Sequence, residues 1–144
     1  MVRSLSNNVL YIGSDDLALD LFESQYIVPD GVSYNSYLIK DNKTAILDPS
    51  DARKGDEWKA SLIEALDGRE PDYLVVHHME PDHSALIAWT LERFPGIKLA
   101  ASAQALRMLP QFFPQAMEQH RHIIFTHFEF HCNLRHTFKV PVPA

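Results

Sequence analysis

The chain has 144 residues, of which 46% are hydrophobic, and its formal net charge is -6 at pH 7. This length predicts one domain over residues 1–144, large enough to bury a core. The 13 lysines and arginines never form a basic run, which argues against a nucleic-acid or anionic-membrane partner. A single cysteine, Cys132, excludes an internal disulfide. With neither a signal-like apolar segment nor a run of about 20 apolar residues, we expect a cytoplasmic protein.

Short β-type runs separated by turn signals predict antiparallel strands in the first third of the chain. These strands cover residues 9–13, 26–28, 33–40 and 44–48, the last two joined as a hairpin. Apolar residues at helical spacing then predict an amphipathic helix over 56–66, with Gly68 as its C-cap.

The middle of the chain alternates strand and helix patterns. We predict a strand over 73–77, a helix over 84–94, a strand over 97–101 and a helix over 103–113. The unbroken apolar run of the first of these strands is typical of a strand buried on both faces of a sheet. This order implies a right-handed parallel crossover, and Pro110 is expected to bend or end the last helix. Two weaker strands are predicted at 121–130 and 136–142.

Three histidines and two carboxylates lie within seven residues directly after the buried strand. Alternate positions of a strand share a face, so His78 and Glu80 are expected to point the same way. Pro81 then turns the chain, and Asp82 and His83 begin the next helix. The four side chains are therefore expected to converge at the carboxyl end of the strand, where open α/β sheets bind ligands.

Each of these residues taken alone is more often structural. Asp82 would then be a helix N-cap, Glu80 a solvated carboxylate and the histidines ordinary polar residues. Together, at this spacing and after this strand, they favour a metal site. Oxygen and nitrogen donors without cysteine suit iron, manganese or zinc.

The pattern His-x-Glu-x-Asp-His resembles the metal signature of the flavodiiron proteins. Residues 31–39 and 79–84 also resemble that family, and the resemblance extends over residues 9–113. The metallo-β-lactamase-like domain of the family holds two irons and reduces dioxygen or nitric oxide with electrons from FMN. Hydrolytic members of the superfamily carry histidine where Glu80 stands, so this glutamate indicates redox iron rather than hydrolytic zinc.

The resemblance implies an α/β fold, the N-terminal half of a metallo-β-lactamase-like αββα sandwich, with antiparallel strands followed by strand-helix units. It implies that His78 and Glu80 bind one iron and that Asp82 and His83 bind the other. Two histidines and a bridging aspartate complete the family's set, and we expect this chain to lack them. We also expect the flavodoxin-like domain to be absent, so that this chain does not bind FMN.

The implied function is reduction of dioxygen or nitric oxide with an electron-donor protein as partner, and we expect the chain alone to be inactive. Sheet edges without partners predict a homo-oligomer. Two alternatives stay open. One is a zinc-dependent hydrolase, in which zinc-bound water attacks an ester or an amide. The other is a non-catalytic fragment of a broken gene.

Several polar residues outside this set receive weaker predictions. The histidine-rich region from His120 to His136 has spacings compatible with zinc, but surface and strand histidines are the more usual explanation. His77 is predicted to be a supporting or core residue rather than a ligand, because it faces away from His78. No role is assigned to three polar residues after the hairpin, Asp48, Ser50 and Asp51.

Overall fold

The computed structural model describes residues 2–120 and 123–125. The described strands are β1 Arg3–Ser4, β2 Val9–Tyr11, β3 Ser14–Asp16, β4 Leu21–Phe22, β5 Tyr26–Ile27, β6 Val32–Tyr34, β7 Tyr37–Lys40, β8 Thr44–Leu47, β9 Tyr73–Val76, β10 Lys98–Ala101 and β11 Ile123–Phe125. The described α-helices are α1 Gly55–Leu66, α2 Pro81–Ser84, α3 Ile87–Arg93, α4 Ala103–Phe112 and α5 Pro114–Gln119. A 3-10 turn over Ala52–Lys54 precedes α1.

A mixed sheet in the order β1-β2-β7-β8-β9-β10-β11 organises the chain. The first four of these strands pair antiparallel, and the pairs β8 with β9, β9 with β10, and β10 with β11 are parallel. Antiparallel strands are therefore followed by strand-helix units. The prediction of a mixed α/β architecture is confirmed.

The predicted hairpin is present, but both of its strands are shorter than expected, since β7 begins at Tyr37 and β8 ends at Leu47. β7 pairs with β8 from Tyr37 opposite Leu47 to Lys40 opposite Thr44. The predicted strand over 33–40 is interrupted at residues 35 and 36, and its first part, β6, pairs with β3 in a separate two-stranded sheet. The run at 26–28 pairs as β5 with β4 in another small sheet. Segments of similar β-type composition therefore belong to three separate sheets.

The predicted helix over 84–94 is wrong in its extent, because two helices replace it. Pro81 opens α2, where its missing N–H and its fixed φ suit the first helical position. The chain then leaves helical geometry at Leu86 (φ -103°, ψ 10°) before α3 begins. Apolar spacing continues across this break, so periodicity alone reads it as one helix.

Three other details differ from the sequence predictions. Asp67 takes the C-cap position of α1 that was predicted for Gly68, with a left-handed backbone (φ 50°, ψ 48°) and an N–H that donates to the carbonyl of Ile63. Gly68 follows, also with a positive φ of 79°. Pro110 does not end α4, which continues to Phe112, so only the predicted bend stays a prediction. Helix α5 was not predicted. Of the two weak strands, only Ile123–Phe125 lies among the described residues, and residues 136–142 lie outside them.

The core forms around the central strand β9. Leu74, Val75 and Val76 are at most 1% exposed, which confirms a strand buried on both faces. Trp58 and Leu62 of α1 and Leu91 of α3 belong to the same apolar cluster as Leu74. Burial of this kind holds the end of β9 in a defined position. Within the described ranges, no helix has the length and apolar character needed to cross a membrane.

Candidate metal centre

His78 and Glu80 meet directly after β9. The strand ends at Val76, one residue earlier than predicted, and Glu80 has extended backbone angles (φ -66°, ψ 149°). The His78 Nδ1 atom contacts the Glu80 Oε2 atom while Met79 packs against the core, as alternate positions of an extended chain would. The two side chains are 54% and 51% exposed, so this pair is open to solvent.

Asp82 and His83 form a second pair in the first turn of α2. Asp82 Oδ2 lies 3.5 Å from His83 Nε2, and the two side chains are only 20% and 22% exposed. The alternative prediction, that Asp82 is the N-cap of the helix, is wrong. Glu80 occupies the N-cap position of α2, and its side chain makes no capping hydrogen bond. Asp82 therefore has no capping role.

The two pairs are neighbours. The ring centres of His78 and His83 are 5.6 Å apart. Across the described parts of the chain, no group of three or more His, Cys, Asp or Glu side chains closes around one point. The four predicted ligands thus stand as two adjacent carboxylate-imidazole pairs, each of which supplies one oxygen and one nitrogen donor.

The Asp82–His83 pair has the spacing that two donors on one ion would have. Donors about 2.0–2.2 Å from an ion, at angles between octahedral and tetrahedral, lie roughly 3–3.5 Å from each other. The Nδ1 atom of His83 is buried and has no hydrogen-bond partner among residues 2–120 and 123–125. Nδ1 is the other ring nitrogen from the one near Asp82, so an ion shared by Asp82 Oδ2 and His83 Nε2 would leave it without a partner. The fit to a metal therefore depends on the donor types and on the 3.5 Å spacing. The donors present fit a metal ion.

The His78–Glu80 side of the centre opens into a cavity of about 680 Å³. Its far wall is largely apolar and includes Ala105, Met108 and Phe112 of α4. On the Asp82 side lies a smaller cavity of about 170 Å³, lined by Tyr34 and Arg53 among others.

Asp48 contacts His77, the first residue of the ligand stretch His77–His83, which carries the four predicted ligands. No role was predicted for Asp48 from the sequence. Its Oδ1 atom accepts a hydrogen bond of 2.7 Å from the His77 N–H, and its Oδ2 atom lies 3.0 Å from His77 Nδ1. The expectation that His77 faces away from His78 stays a prediction, since both residues line the larger cavity. Asp48 follows β8, and β8 pairs parallel with β9. Because carboxyl ends of parallel strands meet at one sheet edge, strand order could have indicated this residue.

An ion pair between buried Asp16 and half-exposed Arg53 supports the strands beside the smaller cavity. Asp16 is 2% exposed and accepts a 2.8 Å hydrogen bond from Arg53 Nε, which holds the pKa of Asp16 below its ordinary value. Tyr34 Oη donates to the same carboxylate at 3.5 Å. Burial, with the charges of Asp51 and Asp16, raises the pKa of Tyr34 to about 12. Asp16 therefore links β3 and β6 to the 3-10 turn before α1.

We expect Asp16→Asn to lower the free energy of unfolding by about 1.5–3 kcal/mol at pH 7, the range for hydrogen bonds to charged groups. Because the folded state lowers the pKa of Asp16, its contribution is present above the ordinary carboxyl pKa and is lost as pH falls through the folded value. The difference between the two proteins should thus shrink below about pH 4. Urea unfolding from pH 3 to pH 7 measures it. Exposed Asp20, changed to asparagine, is the control, and a difference independent of pH would contradict the prediction.

Curated relatives and solved structures both place this chain in one family. No protein-family model matches the sequence. The chain is 36% identical over 100 residues to the putative diflavin flavoprotein A 1 of Thermosynechococcus vestitus, covering 69% of this chain and 18% of that protein. It is 33% identical over 107 residues to the anaerobic nitric oxide reductase flavorubredoxin of Aliivibrio fischeri, covering 74% and 22%. The chain spans about a fifth of the length of these curated relatives.

The fold agrees with a solved structure of the same family. The flavodiiron protein from Giardia intestinalis superposes with a TM-score of 0.78 at 21% identity, over 88% of this chain and 30% of that one. The chain therefore has a metallo-β-lactamase-like α/β fold, which confirms the predicted fold class. Over the region it shares with these relatives, the chain belongs to the flavodiiron protein family, as its motif predicts.

Proposed function

We propose that this chain is a metal-binding part of a flavodiiron-type oxidoreductase that reduces dioxygen or nitric oxide at a non-haem diiron site. The observation that supports this proposal most directly is that the His78–Glu80 pair and the Asp82–His83 pair lie side by side after β9. The Aliivibrio relative is named as an anaerobic nitric oxide reductase, which supports the proposed reaction class. Residues 1–144 are then part of one metallo-β-lactamase-like domain.

His78 and Glu80 would hold one iron, and Asp82 and His83 would hold the other. Carboxylates are hard anionic donors that suit iron in both of its common oxidation states. When bound, two adjacent irons would supply the electrons and the binding site for a diatomic substrate. The chain's own contribution is to orient the four donors and to border the site with the apolar wall of α4.

The chain alone is not a competent reductase in this proposal. Two protein donors for each ion leave metal affinity low, because affinity depends on the number of ligands and on a preformed geometry. FMN would be held by a flavodoxin-like domain of the whole protein and not by residues 1–144. The remaining ligands, an electron-donor protein and a second copy of the protein are the partners that the whole enzyme would need.

Anaerobic reconstitution of the full chain tests this proposal. We expect ferrous iron to bind at up to two ions per chain, measured by competition with a chromophoric chelator. We expect dioxygen and nitric oxide consumption no faster than that of free ferrous iron at the same concentration. Turnover above free iron would overturn the statement that the chain is inactive alone.

The same titration, repeated with zinc, separates the hydrolase alternative. Preferential zinc binding at one or two ions per chain, together with hydrolysis of a chromogenic ester, would favour that class over redox iron. Failure to bind either metal above the level of the Glu80→Gln variant would remove the metal site altogether and favour a non-catalytic chain.

A further inference from the structure

We propose that Asp48 is the positioning residue of the candidate metal centre and sets the backbone direction of the segment that carries His78 and Glu80. This inference rests on the proposed function, since it concerns the same site. Asp48 contacts His77 through both carboxylate oxygens, and neither of these two contacts joins it to a predicted ligand. It therefore acts through the backbone and not on the metal.

The carboxylate of Asp48 extends the sheet by one hydrogen bond beyond the end of β8. Leu47 is the last paired residue of β8, opposite Val75, and the Asp48 N–H still donates to the Val75 carbonyl at 3.0 Å. In a continuing parallel ladder, the Asp48 carbonyl would next accept the N–H of His77. Asp48 Oδ1 accepts that N–H instead, at 2.7 Å. The side chain thus takes the place of a main-chain acceptor.

The backbone of Asp48 makes this exchange possible. Its φ of 49° lies in the left-handed region, which turns its own carbonyl out of the ladder. Left-handed non-glycine residues tend to persist where the surrounding structure determines them, often beside functional sites. Aspartate tolerates this conformation better than most residues, so it combines the turn with a carboxylate that a glycine lacks.

Buried contacts hold the turned carbonyl in place. Ser36 Oγ donates to the Asp48 carbonyl at 2.5 Å, and Trp58 Nε1 donates to Ser36 Oγ at 2.9 Å. Both Ser36 and Trp58 are fully buried. A continuous set of hydrogen bonds therefore joins the core face of α1 to the first residue of the ligand stretch. These hydrogen bonds fix the position and direction of the backbone at His77, the residue directly before the predicted ligand His78.

Cobalt(II) binding to the full chain tests the role of Asp48 with a readout other than activity. Asp48→Gly keeps access to the left-handed backbone but removes the carboxylate, and we expect it to lower cobalt affinity about 10–100-fold, the usual effect of losing a residue that orients ligands. The visible absorption of bound cobalt should change in the same variant. Asp48→Asn retains an Oδ1 acceptor for the His77 N–H, and we expect its affinity to stay within about threefold of the unsubstituted chain.

Two further measurements separate positioning from folding and from the proposed function. Urea unfolding of the metal-free variants shows whether Asp48→Gly folds, and hydrogen exchange of the His77 amide, followed by NMR, should be faster in that variant than in Asp48→Asn. Equal cobalt affinity and spectra in the unsubstituted chain and Asp48→Gly would overturn the inference and leave the proposed function standing. If the unsubstituted chain does not bind cobalt but exchange of the His77 amide still depends on Asp48, the proposed function would be overturned. The hydrogen bond from the His77 N–H to Asp48 would still be supported.

Discussion

Replacing Glu80 with glutamine should weaken the binding of ferrous iron about 100-fold, equivalent to about 2.7 kcal/mol. Glutamine keeps the size of the side chain but removes the negative charge, and a neutral amide oxygen is a poorer donor to iron than a carboxylate. The effect should be large because the pair offers only two donors, so that losing one leaves His78 alone. Anaerobic competition with a chromophoric chelator gives the two affinities.

A matched control comes from helix α1. Glu64 is exposed and lies outside both cavities that border the centre, so Glu64→Gln removes the same charge from the chain without touching the centre. Its iron affinity should equal that of the unsubstituted chain. If both glutamine variants lose affinity to the same extent, net charge rather than ligation accounts for iron binding, and Glu80 is not a ligand.

Replacing Leu74 with alanine is expected to lower the free energy of unfolding by about 2–5 kcal/mol. Leu74 is fully buried in β9, the strand between β8 and β10, and it belongs to the main apolar cluster. The deletion removes buried methyl groups and leaves a cavity that strands on both sides cannot easily close. Urea denaturation followed by circular dichroism measures the change.

Ile63 offers the comparison for this prediction, because it is 44% exposed on α1. Ile63→Ala should cost less than about 1 kcal/mol, since little apolar surface leaves contact with other side chains. Similar losses at Leu74 and Ile63 would show that β9 is not the centre of the cooperative core. Burial of β9 would then not explain how the segment that follows it, with the predicted ligands, is held in one direction.

Local sequence patterns anticipated much of the fold. The apolar run of β9, the hairpin turn between β7 and β8, and the helical spacing of α1 and α4 are all local signals, and the structure contains each of these elements. Element ends were less predictable. The break between α2 and α3 occurs at Leu86, where the apolar period continues without interruption although the backbone leaves the helix.

The sequence by itself determined the identity and spacing of the candidate donors. His78 and Glu80 occupy alternate positions, Asp82 and His83 are adjacent, and Pro81 between them forces a change from extended chain to helix. These relations depend on neighbouring residues, so they can be read along the chain. Their assignment as iron ligands stays a prediction that the titrations above test.

Only the tertiary structure decided what surrounds those donors. Asp48 lies 29 positions before His77, and Ser36 lies 12 positions before Asp48. Trp58 belongs to α1, which follows both Ser36 and Asp48 in the chain. Their hydrogen bonds exist because β8 and β9 lie side by side and α1 packs its indole against the buried serine. No local period encodes such contacts, since they arise from strand order and from the left-handed turn at Asp48. The sequence motif identifies the candidate donors, and the tertiary fold orients the segment in which they lie.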